Sequence, residues 1–385
     1  MALERGAANA FRVLLLCVFI AMIGLGIISP IIPNYASSMG ATGLMIGLIY
    51  SSFSLSRAVL QAPMGRLSDS VSKKKIIIVG LTAYTVTSIL YTRASSPEML
   101  IYVRLFHGVG SAMVMPVAMA YAMELTPKGK EGRYMGYLNT AIFAGYGAGP
   151  MLGGFLYENY SANMAFNAMS VMVFLSLVVT AALVPDEMRL GLHRGRVEIS
   201  LRSILANKKL SGTFVYRMVN ALGRGTIMGF LPLFAVQVLG ISGTLVGLIL
   251  SFGIFANALL QTPMGALADR YNKNLLLIAG GLVSSLGYFY MIHAGNSVEL
   301  FLSRLVISAG GALSIPALTA IVAEEGKMLG SGSTVGIYNT AMSLGQIVGP
   351  VFTGFLLDRY GMGAVFNFTG LIGFVSVAAF YLLSR

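Results

Sequence analysis

Charge is scarce in this chain. Only 10% of its 385 residues are Asp, Glu, Lys or Arg, against about 25% in a soluble domain. With a mean hydropathy of +0.79, it has no means of covering a water-facing surface. Cysteine is nearly absent. Cys17 stands alone, which excludes an internal disulfide and leaves no thiol partner for a metal, so it reads as a small core residue. There is no Walker loop, which removes ATP as an energy source. A Gly-x-Gly-x-x-Gly turn after a strand and any His/Cys/Asp cluster at metal-ligand spacing are missing too. No catalytic residue, metal or cofactor is expected, and the chain does not read as an enzyme.

What the chain has is apolar length. No charge occurs from Val13 to Ser56, far beyond the roughly 20 residues that span a bilayer. "NYASSMGATG", Asn34–Gly43, divides that run with turn residues. Lipid offers no partner to a bare amide, so the spans must be helices; the runs are too long and uniformly apolar for barrel strands. Twelve helices are expected, near 12–35, 44–66, 76–95, 98–124, 133–156, 164–184, 212–236, 244–266, 275–294, 298–323, 332–356 and 363–383. Arg5 and Arg12 precede an apolar segment twice the length of a signal-peptide core, so the first helix is expected to be retained.

The basic residues orient these spans. With both termini cytoplasmic, nineteen of the 26 Lys and Arg fall in inside loops and only Arg93 and Arg359 outside. Arg57, Arg104, Arg217, Arg224 and Arg304 lie within spans. The bias accounts for the net charge of +12 without nucleic acid. A charged stretch, "PDEMRLGLHRGRVEISLRSILANKK", reads as a cytoplasmic linker. The expected division is 1–184, a linker at 185–210, and 211–385.

The halves repeat at a shift of 200 residues. Gln61, Pro63-Met64-Gly65 and Asp69 meet Gln261, Pro263-Met264-Gly265 and Asp269. Arg104-Leu105, Pro116 and Glu124 meet Arg304-Leu305, Pro316 and Glu324; Asn139 and Gly149-Pro150 meet Asn339 and Gly349-Pro350. Six helices per copy make the repeats parallel. The fold class is therefore all-α: twelve transmembrane helices in two pseudo-symmetric six-helix bundles, a design that holds substrate near the midplane and works by alternating access.

"QAPMGRLSDSVSKKK" and its copy end a helix in a charged cluster. Gly65 and Gly265 allow close helix approach. Asp69, Lys73 and Glu124, with Asp269, Lys273 and Glu324, can form a charged latch at one mouth of each half; the plainer reading is a set of solvated loop charges. "GRLSDSVSKKK" resembles the loop 2–3 signature of the major facilitator superfamily, and "RLFHGVGSA" (Arg104–Ala112) its helix-four signature. "GYGAGPMLGG", with Gly145, Gly149, Pro150, Gly153 and Gly154, resembles the helix-five pattern of its exporters, notably the twelve-helix drug:proton antiporters; "PIIP" (Pro30–Pro33) is similar to that subgroup. The loop signature usually has Gly where Ser72 and Asn272 stand and Arg where Ser70 stands, and the helix-four signature usually has Gln where His107 stands. The antiporters often carry an acid in helix one, and this helix one has none.

A buried arginine costs at least about 2.5 kcal/mol, so it faces a cavity or a partner. Arg217 is expected to snorkel to the membrane edge. Arg104 and Arg304 either brace backbone carbonyls or, as the resemblance implies for Arg104, help move protons or position substrate. His107, one turn on, is either a proton carrier or a hydrogen-bonded packing residue. Tyr50, Arg57, Asn139, Asn220, Arg224, Asn339 and Gln346 are the candidate substrate-cavity residues. The 23 methionines suit a permissive cavity or serve as lipid-facing filler. These features and the resemblance together imply a proton-coupled exporter of hydrophobic or drug-like compounds. The alternative is a carrier of small organic anions using the embedded arginines. A receptor or scaffold would want a soluble ligand-binding domain, and none is in view. The expected setting is the cytoplasmic membrane, the partners lipid, a small-molecule substrate and the proton, and the chain a monomer.

Overall fold

The computed structural model describes residues 2–68, 70–127, 131–185, 207–329 and 331–384. Its regular elements there are all helical: α1 (Ala2–Ile27), α2 (Ile32–Ser38), α3 (Gly43–Leu67), α4 (Lys73–Arg93), α5 (Pro97–Glu124), α6 (Glu131–Asn159), α7 (Ala162–Leu183), α8 (Lys208–Leu233), α9 (Gly243–Arg270), α10 (Lys273–Met291), α11 (Ser297–Leu329), α12 (Ser331–Tyr360) and α13 (Met362–Leu383). Most of the linker read at 185–210 lies outside the described residues, as does Asp69.

The first expected helix is two. Proline lacks the amide that a helix interior needs, and "PIIP" breaks the run after Ile27. The amides of Ser29 and Ile31 turn back three residues to the carbonyls of Gly26 and Ile28, both at 3.1 Å. α2 restarts with Pro33 in its first turn, where a missing amide is harmless. α8 likewise contains Pro232 and runs into a π turn, Phe234–Val238.

The repeat is visible in how helices begin. Thr42 and Ser242 accept the amides of Met45 and Leu245 at 3.2 and 3.3 Å. Ser72 and Asn272 accept those of Lys75 and Leu275 at 3.4 and 3.3 Å. Ser96 and Asn296 accept those of Met99 and Glu299 at 3.3 and 3.0 Å. Each oxygen satisfies a donor the helix cannot. Ser72 and Asn272, which depart from the superfamily's glycine, are therefore caps.

Among the described residues, eleven helical stretches are long and apolar enough to cross a membrane, α1 and α2 counting as one. The twelfth, α6, is richer in glycine and polar residues but lies along α1. A Cβ at Gly145, Gly149 or Gly153 would collide with the backbone of Phe19, Gly26 or Ile27. The molecule is thus a twelve-span all-α membrane protein. Large apolar side chains such as Val59, Val171, Leu259 and Leu382 are exposed, as lipid-facing helices require.

The chain forms two compact units, Met1–Met39 with Ser52–Gly195, and Gly40–Ser51 with Arg196–Arg385. In the first, α1 packs on α6 and α7, and α4 on α5 and α7. In the second, the equivalent pairs are α8 with α12 and α13, and α10 with α11 and α13. The first part of α3 belongs to the second unit, and its start is held there by α12. The amides of Gly43 and Leu44 donate to the Asp358 carboxylate at 2.5 and 2.8 Å. Ser51 donates to the Ile347 carbonyl at 2.5 Å. At Gly47 a Cβ would strike the Pro350 carbonyl, and at Gly354 the Gly43 carbonyl. Asp358 is thus an N-cap supplied from over 300 residues away, placed where the helix dipole favours negative charge. Asp358→Ala is expected to cost about 1–2 kcal/mol, read as a lowered midpoint in detergent unfolding of the purified protein.

Candidate functional site

The duplicated charges lie at matching helix ends, where α4 and α10 start and α5 and α11 finish. In the first unit Lys73 is 5% exposed. Its Nζ donates to the Ser68 carbonyl at 2.8 Å and lies 3.0 Å from Glu124 Oε1. In the second, Lys273 Nζ lies 2.9 Å from Glu324 Oε1, with side-chain exposures of 24% and 52%. Beside it, Lys209 and Asn207 each reach Glu325 at 3.0 Å. Asp269 is exposed. The close approach expected at the two glycines does not occur. Among the described residues, a Cβ at Gly65 meets nothing within 4 Å, and one at Gly265 only Pro316 Cβ at 3.9 Å. These glycines sit near the ends of α3 and α9.

The helix-five glycines do make backbone contact, as the α1–α6 seam shows, and Gly154 is buried. The second unit repeats the arrangement. Cβ atoms at Gly345 and Gly349 would clash with Met218 and Leu222 of α8, and one at Gly225 with Pro350. Glycine here lets two helix axes close in.

Arg104 and Arg304 are twins held in opposite ways. Arg104 is buried with its guanidinium carbon 4.7 Å from the centroid of the Phe53 ring, and Arg57 stacks on that ring at 5.5 Å. The site of Phe53 in the second unit is Gly253, where an added Cβ would fall 2.5 Å from the Arg304 guanidinium carbon. Arg304 occupies the vacated space and donates from Nη1 to Ser308 Oγ at 2.5 Å. Ser308 in turn lies 2.8 Å from the Gly253 carbonyl. Its twin, Gly108, has no room for that hydroxyl, because a Cβ there would strike Ser56 and the Phe53 carbonyl. An aromatic face holds one guanidinium and a hydroxyl the other.

His107 is fully buried in an aromatic box. Tyr84, Phe53 and Tyr91 meet its ring edge-on at 4.6, 5.1 and 5.9 Å. Its Nδ1 is 3.1 Å from the Tyr91 hydroxyl, and its Nε2 has no hydrogen-bond partner among the described residues.

The cavity candidates divide by unit. Arg57 is half-buried and Asn139 exposed in the first; in the second, Tyr50, Asn220, Asn339 and Gln346 are half-buried and Arg224 exposed. Tyr50 packs toward Gly229, 3.6 Å from a Cβ built there. Arg217 does not snorkel. It is 7% exposed, its guanidinium carbon 4.5 Å from the centroid of the Tyr338 ring and its Nη2 2.8 Å from Met342 Sδ. Phe53, Tyr91, Ser308, Tyr338 and Met342 went unnoticed in the sequence. Only the exchange of Phe53 for Gly253 and Gly108 for Ser308 could have pointed to them.

Two helical units with embedded arginines fit a membrane carrier. The sequence matches the model of the Major Facilitator Superfamily over residues 14–210 and 213–385. The chain belongs to that superfamily and is a transporter, not an enzyme. An uncharacterized MFS-type transporter of Methanocaldococcus jannaschii is 31% identical over 382 residues, 97% of each chain. The quinolone resistance protein NorA of Staphylococcus aureus is 25% identical over 347 residues, 89% of this chain and 88% of that one. A bacterial homologue of the human lysosomal transporter Spinster superposes with a TM-score of 0.84, covering 99% of this chain and 97% of that one at 14% identity, a likeness of fold alone.

Glu124→Gln removes the carboxylate paired with a buried ammonium and is expected to cost more than Glu324→Gln, which at an exposed pair costs under about 1 kcal/mol; denaturant midpoints compare them. Gly253→Ala overpacks against Arg304 and is expected to destabilise by about 1–3 kcal/mol. Gly65→Ala, in open space, is neutral or stabilising by about 0.5–1 kcal/mol, by the same measurement.

Proposed function

We propose that this transporter is a proton-driven exporter of hydrophobic compounds working by alternating access. The observation that carries the reading is the alignment with NorA across 89% of the chain, a protein whose name records quinolone resistance. The glycine seam of α6, in the pattern that resembles exporters, supports it. Arg104 and His107 are the proposed proton-coupling residues, and substrate meets Tyr50, Arg57, Asn139, Asn220, Arg224, Asn339 and Gln346. The charged ends of α4 and α5, with Gly65 and Asp69, and of α10 and α11, with Gly265 and Asp269, are the proposed latches. Both termini face the cytoplasm, residues 1–184 and 211–385 form the moving bundles, and the monomer is the working unit.

A second reading, a carrier of small organic anions, rests on one observation. Among the described residues every Asp and Glu lies near a helix end, while five arginines lie within spans, an arrangement that suits an anionic cargo better than a cationic one.

Transport into proteoliposomes under an imposed pH gradient separates the two. Lipophilic cations, neutral compounds and organic anions are compared side by side. The exporter reading expects gradient-dependent movement of the hydrophobic compounds, abolished by a protonophore and by Arg104→Gln. Movement indifferent to the gradient, or movement of anions alone, refutes it.

A further inference from the structure

We propose that Arg217 is an anion-binding subsite within the second unit, which takes a carboxylate, sulfonate or phosphate group carried by an apolar cargo. The inference rests on the transporter reading for its purpose but not for its evidence.

Arg217 lies deep in α8, and its two partners are both on α12. The α8–α12 seam sets them there: the contacts of Gly345 with Met218 and of Gly349 with Leu222 draw the helices together. One face of the guanidinium then lies over the Tyr338 ring, and Nη2 points to a thioether sulfur. Sulfur is a weak acceptor and a phenol ring only a partial counterion. Nε and Nη1 are buried and have no hydrogen-bond partner among the described residues. Between them they carry three N–H donors. No carboxylate pairs with this cation among the described residues.

Leaving such a group unpaired in a membrane-embedded bundle is costly, and the repeat shows that the fold does not require it. Two hundred residues earlier, on the equivalent seam of α1 and α6, Cys17 stands in place of Arg217, Leu138 in place of Tyr338 and Ile142 in place of Met342. Cys17 and Leu138 are as deeply buried as their counterparts, so the same helix pair closes with apolar side chains alone. Arg224 is also peculiar to the second half, its counterpart being Gly24. It follows Arg217 by seven residues, about 10 Å along the helix and on nearly the same face. Arg224 is exposed, so one arginine is placed to meet an anion and the other to hold it. Planar guanidinium donors match carboxylate, sulfonate and phosphate oxygens, and the surrounding Tyr338 and Met342 suit an apolar body.

The test is equilibrium binding to the full-length protein in phosphatidylcholine nanodiscs, with naphthalene-2-carboxylate and its neutral isostere naphthalene-2-carboxamide as probes. Arg217→Met is expected to weaken carboxylate binding at least about tenfold while carboxamide affinity stays within about twofold. Arg217→Lys, which keeps charge but loses the planar fork, falls between. The melting temperature of Arg217→Met is expected to equal or exceed that of the native protein, since an unpaired charge has been removed; a brace would lower it. Adding phosphatidylglycerol distinguishes the source of the anion. Competition with the carboxylate in native protein, absent in Arg217→Met, assigns the subsite to a lipid headgroup, and no competition assigns it to a soluble anion. Equal losses for both probes, or no loss for either, overturn the proposal. Because no gradient or transport enters the measurement, failure of proton-driven export leaves this result standing, and the reverse holds as well.

Discussion

A lipid bilayer supplies neither hydrogen-bond partners nor counterions, and every polar choice in this protein answers to that. Backbone amides are satisfied within helices or by caps at their starts. Charged pairs stay at the ends, where Lys73 meets Glu124 and Lys273 meets Glu324. The arginines that remain inside have to be accommodated by whatever the helices bring, and each is accommodated differently. Arg104 lies over an aromatic ring, Arg304 binds a hydroxyl, and Arg217 is left with a ring, a sulfur and open donors.

The internal repeat turns these differences into a controlled comparison. Two halves built on one plan share caps at 42 and 242, 72 and 272, and 96 and 296, so shared features report on what the fold needs. Features present in only one half report on something else. Phe53 against Gly253 and Gly108 against Ser308 are compensating exchanges that keep one arginine in each bundle. Arg217 and Arg224 have no such compensation in the first half, where Cys17 and Gly24 stand.

Most of the architecture was legible in the sequence because lipid imposes long, uniform runs. Most helix ends agree with the expected ones within a few residues, α1 and α11 excepted, which start at Ala2 and end at Leu329, and the positions of Gly149 and Gly349 announce tight seams. The break at Ile28–Ile31 was missed, although "PIIP" was in view, because the surrounding apolarity is continuous across it and hydropathy does not register a lost amide. The close helix approach expected at Gly65 and Gly265 is absent for a related reason: a duplicated glycine suggests closeness, but whether another helix is near is not written in the local sequence. Arg217 was read as reaching the membrane edge because distance along a helix is readable and facing direction is not. The partners of His107 come from two other helices, α3 and α4, and no spacing within one segment could assemble them.

The glycine seams restrict what the helices can do after folding. Where α1 and α6 meet at Gly26, Gly145, Gly149 and Gly153, the contacts are backbone, Met22 Cβ and the Pro150 ring, with little side chain to repack. Turning either helix by one residue, about 100°, would drive a bulky neighbour such as Phe19 or Met22 into the gap that glycine keeps open. The pair is keyed, like a shaft in its slot, and it travels as a single rigid piece. A seam of this kind leaves little room for the two helices to slide or turn against each other.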